Sequence, residues 1–351
     1  MTPRQRDSNA GDTAHGQRTL PHVTVDNYSL ELRDAKGLLG DQASETAFRE
    51  ILKGWRQTLE QAGPDVFGAK PAEELSKDEL DRIAASGDTE AARVVALAVD
   101  EFSGRLACVI ENFMQHEEWR DVQRIVIGGG FKESGIGRLA IKLASHRLAG
   151  QGRQVELRPL RHAADDGGLA GWAQLLPSGH RAGNKGQAFL AVDIGGTNVR
   201  CGIVECSGDE IATARVTQRE KWRHADDDAP QNDLVEGIVD MLGRLIAHAD
   251  QHGIRLSPFI GVGCPGVIRS DGSIERGAQN LPGDWERASF HLPRRLCENI
   301  SKIDGEPTLI LMHNDAVVQG LSELPYTRDV DRWAILTIGT GLGNAVFTNR
   351  P

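Results

Sequence analysis

The chain has 351 residues, of which 39% are hydrophobic and 26% charged, a composition typical of a soluble globular protein with room for two domains. Its formal net charge of −10 argues against a general nucleic-acid-binding protein, so we predict no nucleic-acid partner. The five cysteines are scattered, and no apolar run is long enough to span a membrane, so we predict reduced thiols, a cytoplasmic location and no membrane partner.

The first half of the chain is predicted to be mainly helical. Residues 1–44 are polar, are expected to be partly disordered, and contain a weak strand pattern at 23–32. Apolar residues then recur at helical spacing in three segments, 44–62, 76–85 and 88–114. The remaining predicted elements of this half are a strand at 122–127, a helix at 135–148, a strand at 155–157 and a short helix at 167–176.

The second half follows a stretch without periodicity, 177–186, which we predict to be a linker. Its predicted elements are a hairpin at 189–204, a helix at 233–249, strands at 258–263 and 308–312, a helix at 316–323 and a strand at 334–338. Strands that alternate with helices indicate an α/β fold with parallel pairing. In such folds binding sites lie where the strands end.

The hairpin at 189–204 carries the first chemical signal. Its turn region contains Asp193, Gly195, Gly196, Thr197 and Asn198. The glycines are expected to allow positive φ angles, and a turn without Cβ atoms lets backbone N–H groups approach an anion such as a phosphate. Asp193 stands where a carboxylate could hold Mg²⁺ close to that anion. The alternative is an ordinary hairpin with a glycine-rich turn.

Two further glycine-rich stretches follow predicted strands. One comprises Gly128, Gly129 and Gly130, and the other comprises Gly339, Thr340 and Gly341. Neither fits the P-loop pattern or the dinucleotide-binding fingerprint. Together with the hairpin they indicate a nucleotide that several loops hold. The alternatives are a closely packed strand-to-helix corner for the first stretch and a tight strand turn for the second.

Two polar stretches could bind a substrate that carries hydroxyl groups. Asp315 follows a predicted buried strand, where it could accept the hydroxyl proton while Asn314 fixes the position of the hydroxyl group. The alternative is that this pair caps the following helix. The loop at 277–285 contains Asn280 and Trp285, whose amide and indole groups could bind a polyol, although a plain turn explains the loop equally well.

These stretches together resemble the sugar kinases and repressors of the ROK family, within the actin/hexokinase superfamily. The resemblance is carried by 191–204, 261–266, 279–285, 314–316 and 336–343, and also by 121–176. It implies a two-lobed α/β actin-like ATPase (ribonuclease H-like) fold. It also implies that the chain is an ATP-dependent sugar kinase of glucokinase type, with ATP and Mg²⁺ as cofactors, a sugar as its substrate and a possible homodimer.

The order of the segments differs from that of the family, in which the adenosine loop lies near the C-terminus. Here the adenosine-like stretch precedes the phosphate hairpin, so we predict a circular permutation. The predicted parts are an N-terminal segment, an adenosine-side lobe, a linker, a phosphate-hairpin lobe and a returning cleft segment, at 1–44, 45–176, 177–186, 187–312 and 313–351.

The resemblance also assigns roles to individual residues. Asp315 would be the catalytic base, and Asn280, Asn314 and Asp315 would bind the sugar. The phosphates and the nucleotide would contact Asp193, Gly195, Gly196, Thr197, Asn198, Gly339, Thr340, Gly341, Gly128, Gly129 and Gly130. Asp193 would also be the Mg²⁺ ligand.

One family motif has no counterpart in this chain. The family carries a Glu-x-Gly-His sugar motif after the second phosphate loop, often with a Cys/His zinc loop, whereas here only 20–26 offers a faint echo. We therefore predict no zinc site. The alternative function is a catalytically impaired sugar or nucleotide sensor, or pseudokinase. A related ATPase or phosphatase is a third hypothesis.

Overall fold

The computed structural model describes residues 14–35, 37–60, 67–68, 70–87, 89–180, 187–207 and 211–351. In chain order the α-helices are α1 (Glu45–Glu60), α2 (Lys77–Ala84), α3 (Glu90–Gln115), α4 (Gly135–Gly150), α5 (Gly167–Ala170), α6 (Gln231–His252), α7 (Leu292–Asn299) and α8 (Asp315–Leu321). The β-strands are β1 (Val23–Tyr28), β2 (Arg33–Asp34), β3 (Gly37–Leu38), β4 (Arg124–Gly128), β5 (Glu156–Pro159), β6 (Gln187–Ile194), β7 (Val199–Ser207), β8 (Thr213–Trp222), β9 (Leu256–Cys264), β10 (Val267–Ile268), β11 (Ile274–Arg276), β12 (Lys302–Ile303), β13 (Glu306–Pro307), β14 (Leu309–Asn314), β15 (Arg332–Ile338) and β16 (Leu342–Asn349).

The chain divides into two compact units, and each unit combines two separate stretches of sequence. The first, which we call the hairpin unit, comprises residues up to Leu20 together with Leu169–Asn314. The second, which we call the triglycine unit, comprises Pro21–Gly168 together with Asp315–Pro351.

The hairpin unit is built on a five-stranded sheet with the order β14-β9-β6-β7-β8. β14, β9 and β6 run parallel, whereas β6, β7 and β8 form an antiparallel meander. One face of β6 joins a core that includes the apolar stripe of α6. On the other face Phe189 packs against Phe259, with ring centroids 5.7 Å apart. Both faces of β6 are therefore covered, which explains its nearly continuous apolar sequence.

The triglycine unit contains a second five-stranded sheet, with the order β1-β16-β15-β4-β5. β15, β4 and β5 are parallel, and β15, β16 and β1 form an antiparallel meander. Both sheets thus place two parallel strands beside the first strand of a three-stranded meander. In the triglycine unit the third strand of that meander, β1, precedes the other two in the sequence.

Helices cover the sheet of the triglycine unit. α3 begins at a capped end, where the Thr89 hydroxyl accepts the Ala92 N–H over 3.1 Å. Its apolar stripe buries Phe102 against Phe48 and Phe131, at centroid distances of 5.7 and 4.8 Å. The helices predicted at 44–62, 76–85, 88–114 and 135–148 are confirmed as α1, α2, α3 and α4. The predicted α/β class is also confirmed.

Several local predictions differ from the structure. The pairing is mixed, because the meanders add antiparallel ladders to the predicted parallel ones. The sequence pattern missed β8, whose residues are half-buried or exposed along its length, and α7, where proline follows the first residue. The glycine-rich stretch Gly339–Gly341 is followed at once by a strand that the sequence pattern missed, since β16 begins at Leu342. Of the predicted linker, 178–180 form a short 3-10 turn, while 181–186 lie outside the described residues, as do 1–13.

No helix within the described ranges combines the length and the apolar character that a bilayer span requires.

Candidate functional site

The predicted hairpin is present as β6 and β7, joined by a turn at 195–198. The Gly195 N–H donates to the Asn198 carbonyl oxygen over 2.9 Å, and this bond closes the turn. Neither Gly195 nor Gly196 uses its freedom to adopt a positive φ angle. Glycine at 196 instead permits a close approach, since a Cβ atom there would lie 3.0 Å from the Asn280 carbonyl oxygen.

The contact at Gly196 brings two predicted site segments together within the hairpin unit. The loop that carries Asn280 is anchored by Trp285, whose side chain is buried and whose Nε1 donates to the Pro282 carbonyl oxygen over 2.7 Å. Asn280 itself is exposed. The loop therefore combines a fixed base with an exposed amide beside the hairpin turn, an arrangement that can bind a polar ligand.

A buried histidine that the sequence pattern did not indicate supports the same turn. His224 Nε2 lies 2.9 Å from the Gly195 carbonyl oxygen, and the Ala225 N–H donates to the Thr197 carbonyl oxygen over 3.3 Å. Through these contacts, two carbonyl oxygens of the turn are fixed to the segment that follows β8. His224 lies in a polar stretch without periodicity, so the sequence offered no signal for it.

Asp193 lies at the end of β6 and pairs with a cation. Its carboxylate accepts a hydrogen bond from Arg200 Nη1 over 3.1 Å, and the two residues stand opposite each other in the β6–β7 ladder. Mg²⁺ is commonly held by one or two carboxylates together with the phosphates of its substrate. A single, largely buried Asp193 beside the turn that we predict to bind phosphate fits that pattern. Among the described residues, no group of three or more His, Cys, Asp or Glu side chains could hold a metal.

Asn314 ends β14 and is held on two sides. Its Nδ2 donates to the Gly266 carbonyl oxygen over 3.0 Å, and its backbone N–H donates to His313 Nδ1 over 2.7 Å. Asp315 follows as the first residue of α8 and is half-buried. The pair therefore stands at a strand-to-helix junction, where capping and substrate binding are compatible.

Asp193 and Asn314 lie at the same edge of one sheet. In the parallel ladders, Asp193 is opposite Gly263 and Asn314 is opposite Cys264, so both flank the end of β9. Two strand spacings separate β6 from β14, a distance of about 10 Å. The carboxyl edge of this sheet thus brings together an acidic group, the glycine-rich hairpin turn and a buried amide.

In the triglycine unit, each residue of the Gly128–Gly130 stretch meets a neighbour closely. A Cβ atom at Gly128 would lie 2.1 Å from Gln319 Oε1. Gly129 has a φ of +83°, and a Cβ atom there would lie 2.2 Å from the Ile338 carbonyl oxygen. Close packing at a strand-to-helix corner therefore explains these glycines, and it is compatible with a nucleotide contact.

The second glycine loop of this unit, Gly339–Gly341, is tied to the start of α1. The Gly339 carbonyl oxygen accepts the Glu45 N–H over 2.8 Å, and the Thr340 carbonyl oxygen accepts from the Thr46 hydroxyl over 3.1 Å. Because Ile338 contacts Gly129, the two predicted glycine loops are neighbours within the triglycine unit.

Three buried polar groups beside these loops had no distinctive sequence pattern. Gln319 is largely buried, and its Oε1 has no hydrogen-bond partner in the described part of the chain. Buried Lys132 donates to Glu133 over 2.6 Å. Burial raises the pKa of the Glu323 carboxyl group, which accepts the Arg161 N–H over 2.7 Å. Only their position in the fold indicates a link to the site.

Comparison with known proteins bears on the second half of the chain. Residues 189–351 match the model of the ROK family. Over 161 residues, 46% of this chain, the sequence is 26% identical to a glucokinase from Thermotoga maritima and 26% identical to an N-acetylmannosamine kinase from Haemophilus influenzae. The alignments cover 44% and 46% of those two proteins, so the chain spans about half the length of the curated relatives it matches.

The chain also shows partial similarity to two solved structures of hexokinases. A ROK hexokinase from Thermus thermophilus is 22% identical, with a TM-score of 0.32 and 46% of each chain covered. A hexokinase from Schistosoma mansoni complexed with glucose is 16% identical, with a TM-score of 0.33, and the match covers 47% of this chain and 41% of that one.

The family match confirms the predicted resemblance over residues 189–351, and the two sheets confirm the α/β part of the predicted fold class. The circular permutation stays a prediction, because the matched segment does not include 121–176. Residues 189–351, somewhat less than half of the chain, are therefore similar to the ROK family.

Proposed function

We propose that the protein is an ATP-dependent sugar kinase, which transfers the γ-phosphoryl group of ATP to a hydroxyl group of a hexose as a glucokinase does. The observation that carries the proposal is the shared carboxyl edge of Asp193 and Asn314 on either side of β9. Ligands of open α/β sheets bind at such edges. The two sugar kinases among the relatives support the same class of reaction.

In this proposal the hairpin unit binds phosphate, metal and sugar. Backbone N–H groups of Gly195, Gly196 and Thr197, with the side chain of Asn198, bind the phosphates. Asn280 and Asn314 orient the sugar hydroxyl groups. The restraint of Asn314 by Gly266 and His313 supports this role, because an amide with a fixed position orients a hydroxyl at low entropic cost.

The triglycine unit supplies the base and the nucleotide contacts. Asp315 accepts the proton of the attacking hydroxyl group. Gly128, Gly129 and Gly130 contact the adenosine, while Gly339, Thr340 and Gly341 bind the phosphates. The contact between Gly129 and Ile338 supports a joint role for these two loops.

Mg²⁺, when bound, would neutralise charge on the phosphates and orient them for transfer. Asp193 would hold it. Phosphoryl transfer depends mainly on positioning and charge neutralisation, both of which these residues can supply.

We also propose that the chain is a circular permutant of the family fold, in which 45–176 form the relocated adenosine-side part. What supports this is the strand order. The two sheets have the same arrangement, yet in the triglycine unit the third meander strand, β1, comes first in sequence and pairs with β16. A homodimer and a cytoplasmic location stay predictions.

The proposal is tested by an ADP-release assay with MgATP and a panel of hexoses and amino sugars. We expect sugar-dependent ADP formation with at least one of them, and mass spectrometry should identify the sugar phosphate. ATP binding without turnover on any sugar would instead support the alternative function, a sensor or pseudokinase.

A further inference from the structure

The segment Ala14–Leu20, which we call the N-terminal strap, lies along one edge of the hairpin-unit sheet. β14 is the edge strand. The Gly16 N–H donates to the Met312 carbonyl oxygen over 3.0 Å, and the Met312 N–H donates to His15 Nδ1 over 3.0 Å. Edge strands present N–H and C=O groups that need partners, and the strap supplies them beside Asn314.

Two glycines are required for the strap to lie there. Gly16 has a φ of +58°, and a Cβ atom on it would lie 2.4 Å from the Ile268 carbonyl oxygen. On the other side, a Cβ atom on Gly272 would lie 2.9 Å from the His15 ring. The strap thus fits a shaped surface, and a single methyl group at residue 16 would displace it.

The buried ring of His313 connects the strap to Asn314. Nε2 lies 3.0 Å from the Gln17 carbonyl oxygen, and Nδ1 accepts the Asn314 N–H over 2.7 Å. A carbonyl oxygen can only accept, so Nε2 carries the proton and the ring is the neutral tautomer that donates on one side and accepts on the other. Burial lowers the pKa of His313, which keeps this form at neutral pH.

We infer that His313 is a positioning residue that couples the N-terminal strap to Asn314, so that a seated strap is needed for tight binding of the sugar. The inference rests on the proposed kinase function. The Gln17 carbonyl oxygen of the strap fixes the imidazole ring, and the ring in turn fixes the Asn314 backbone N–H. The Gly266 carbonyl oxygen fixes the side-chain amide of Asn314. Loss of the strap would therefore loosen the sugar-binding amide and leave the phosphate turn in place.

The test uses Gly16→Ala and His313→Gln in the 351-residue protein, with Gly253→Ala as the matched control. Gly253 has a φ of +66°, close to that of Gly16, but a Cβ atom there would meet nothing within 4 Å. We expect the first two variants to raise the KM for sugar about tenfold, which corresponds to the loss of one hydrogen-bonded contact of about 1.4 kcal/mol. The KM for ATP should stay within about twofold of the wild-type value. Gly253→Ala should leave both KM values within about twofold.

The double variant separates coupling from two independent effects. If His313 transmits the effect of the strap, Gly16→Ala with His313→Gln should raise the sugar KM no further than the larger single effect. Multiplied effects, or an unchanged sugar KM in both single variants, would overturn the inference.

Hydrogen exchange distinguishes this failure from failure of the proposed function. In wild-type protein without ligand, the Gly16 amide should be protected, and His313→Gln should increase its exchange at least about tenfold. Protection that does not change in that variant would overturn the coupling even if no sugar is phosphorylated. Turnover by the wild-type protein with an unchanged sugar KM in the variants would overturn the inference and retain the kinase.

Discussion

At the scale of single residues, Asp193 and Arg200 form a largely buried ion pair at the mouth of the hairpin. Arg200 offsets the carboxylate charge beside a turn that we propose binds phosphate. An anion approaching Asp193 without this cation would meet like-charge repulsion, which is strong where water is partly excluded. Arg200 is therefore expected to matter most when the nucleotide arrives without Mg²⁺.

We predict that Arg200→Gln weakens ATP binding about tenfold in EDTA and changes it less with saturating Mg²⁺, because the metal then offsets the charge. Calorimetric titration under both conditions measures the effect. Arg215→Gln removes a more exposed arginine, paired with Glu205 on the neighbouring strand, and serves as the control. Equal ATP affinities of wild-type protein and Arg200→Gln in EDTA would contradict this role.

A second prediction at this scale concerns pH. Burial lowers the pKa of His313 from 6.5 to about 4. As the pH falls, His313 therefore binds a proton in the unfolded chain at a higher pH than in the folded protein. The stability that neutral His313 contributes is therefore complete above about pH 6.5 and is lost between about pH 6.5 and 4, on the order of 3 kcal/mol in all.

Urea unfolding of the wild-type protein and His313→Gln at several pH values checks this sign. The difference in free energy of unfolding between the two proteins should shrink as the pH falls through that window. A difference that is constant, or that grows toward acid pH, would contradict the expectation.

At the scale of elements, close backbone contacts hold some of the glycine-rich loops in place. Gly129 follows β4 and meets Ile338 at the end of β15, so the corner cannot accept a side chain without moving. Gly152 follows α4 with a similar φ of +78°, yet a Cβ atom there would meet nothing within 4 Å. A substitution at Gly152 therefore introduces backbone strain alone, whereas a substitution at Gly129 introduces both backbone strain and a steric clash.

We predict that Gly152→Ala lowers the free energy of unfolding by about 1 kcal/mol, the cost of a left-handed conformation for alanine. Gly129→Ala should cost at least about 2 kcal/mol more, because it adds overpacking, and it should also weaken ATP binding. Chemical denaturation and calorimetry measure the two effects. Similar stability losses in both variants would show that packing at Gly129 is not the constraint.

At the scale of the whole molecule, the sequence predicted the elements with strong periodicity. α3 has an apolar stripe over many turns, so its existence was clear, and β6 was marked by its apolar run and turn. The sequence did not reveal β8, because its half-exposed residues lack a buried face. Nor did it reveal His224 or the strap contacts, since these depend on residues that are distant in sequence.

The proposed permutation makes a prediction at this scale. Consider a rearranged chain that begins at Gln187, runs to Pro351, continues from Met1 and ends at His180. In this chain the three meander strands of each sheet precede its two further parallel strands in the sequence. Because β1 already pairs with β16, we expect this chain to fold with an unchanged circular dichroism spectrum and to retain ATP binding. Loss of folding would contradict the proposed equivalence of the two orders.

The most direct measurement of the kinase function is the effect of Asp315→Asn on turnover and on ATP affinity. If Asp315 is the base that accepts the sugar hydroxyl proton, kcat should fall by about 10² to 10⁴, while the Kd for ATP stays within about twofold. Asp250→Asn, an exposed change on α6, is the control and should alter neither value. Retention of wild-type kcat by Asp315→Asn would contradict the proposed mechanism.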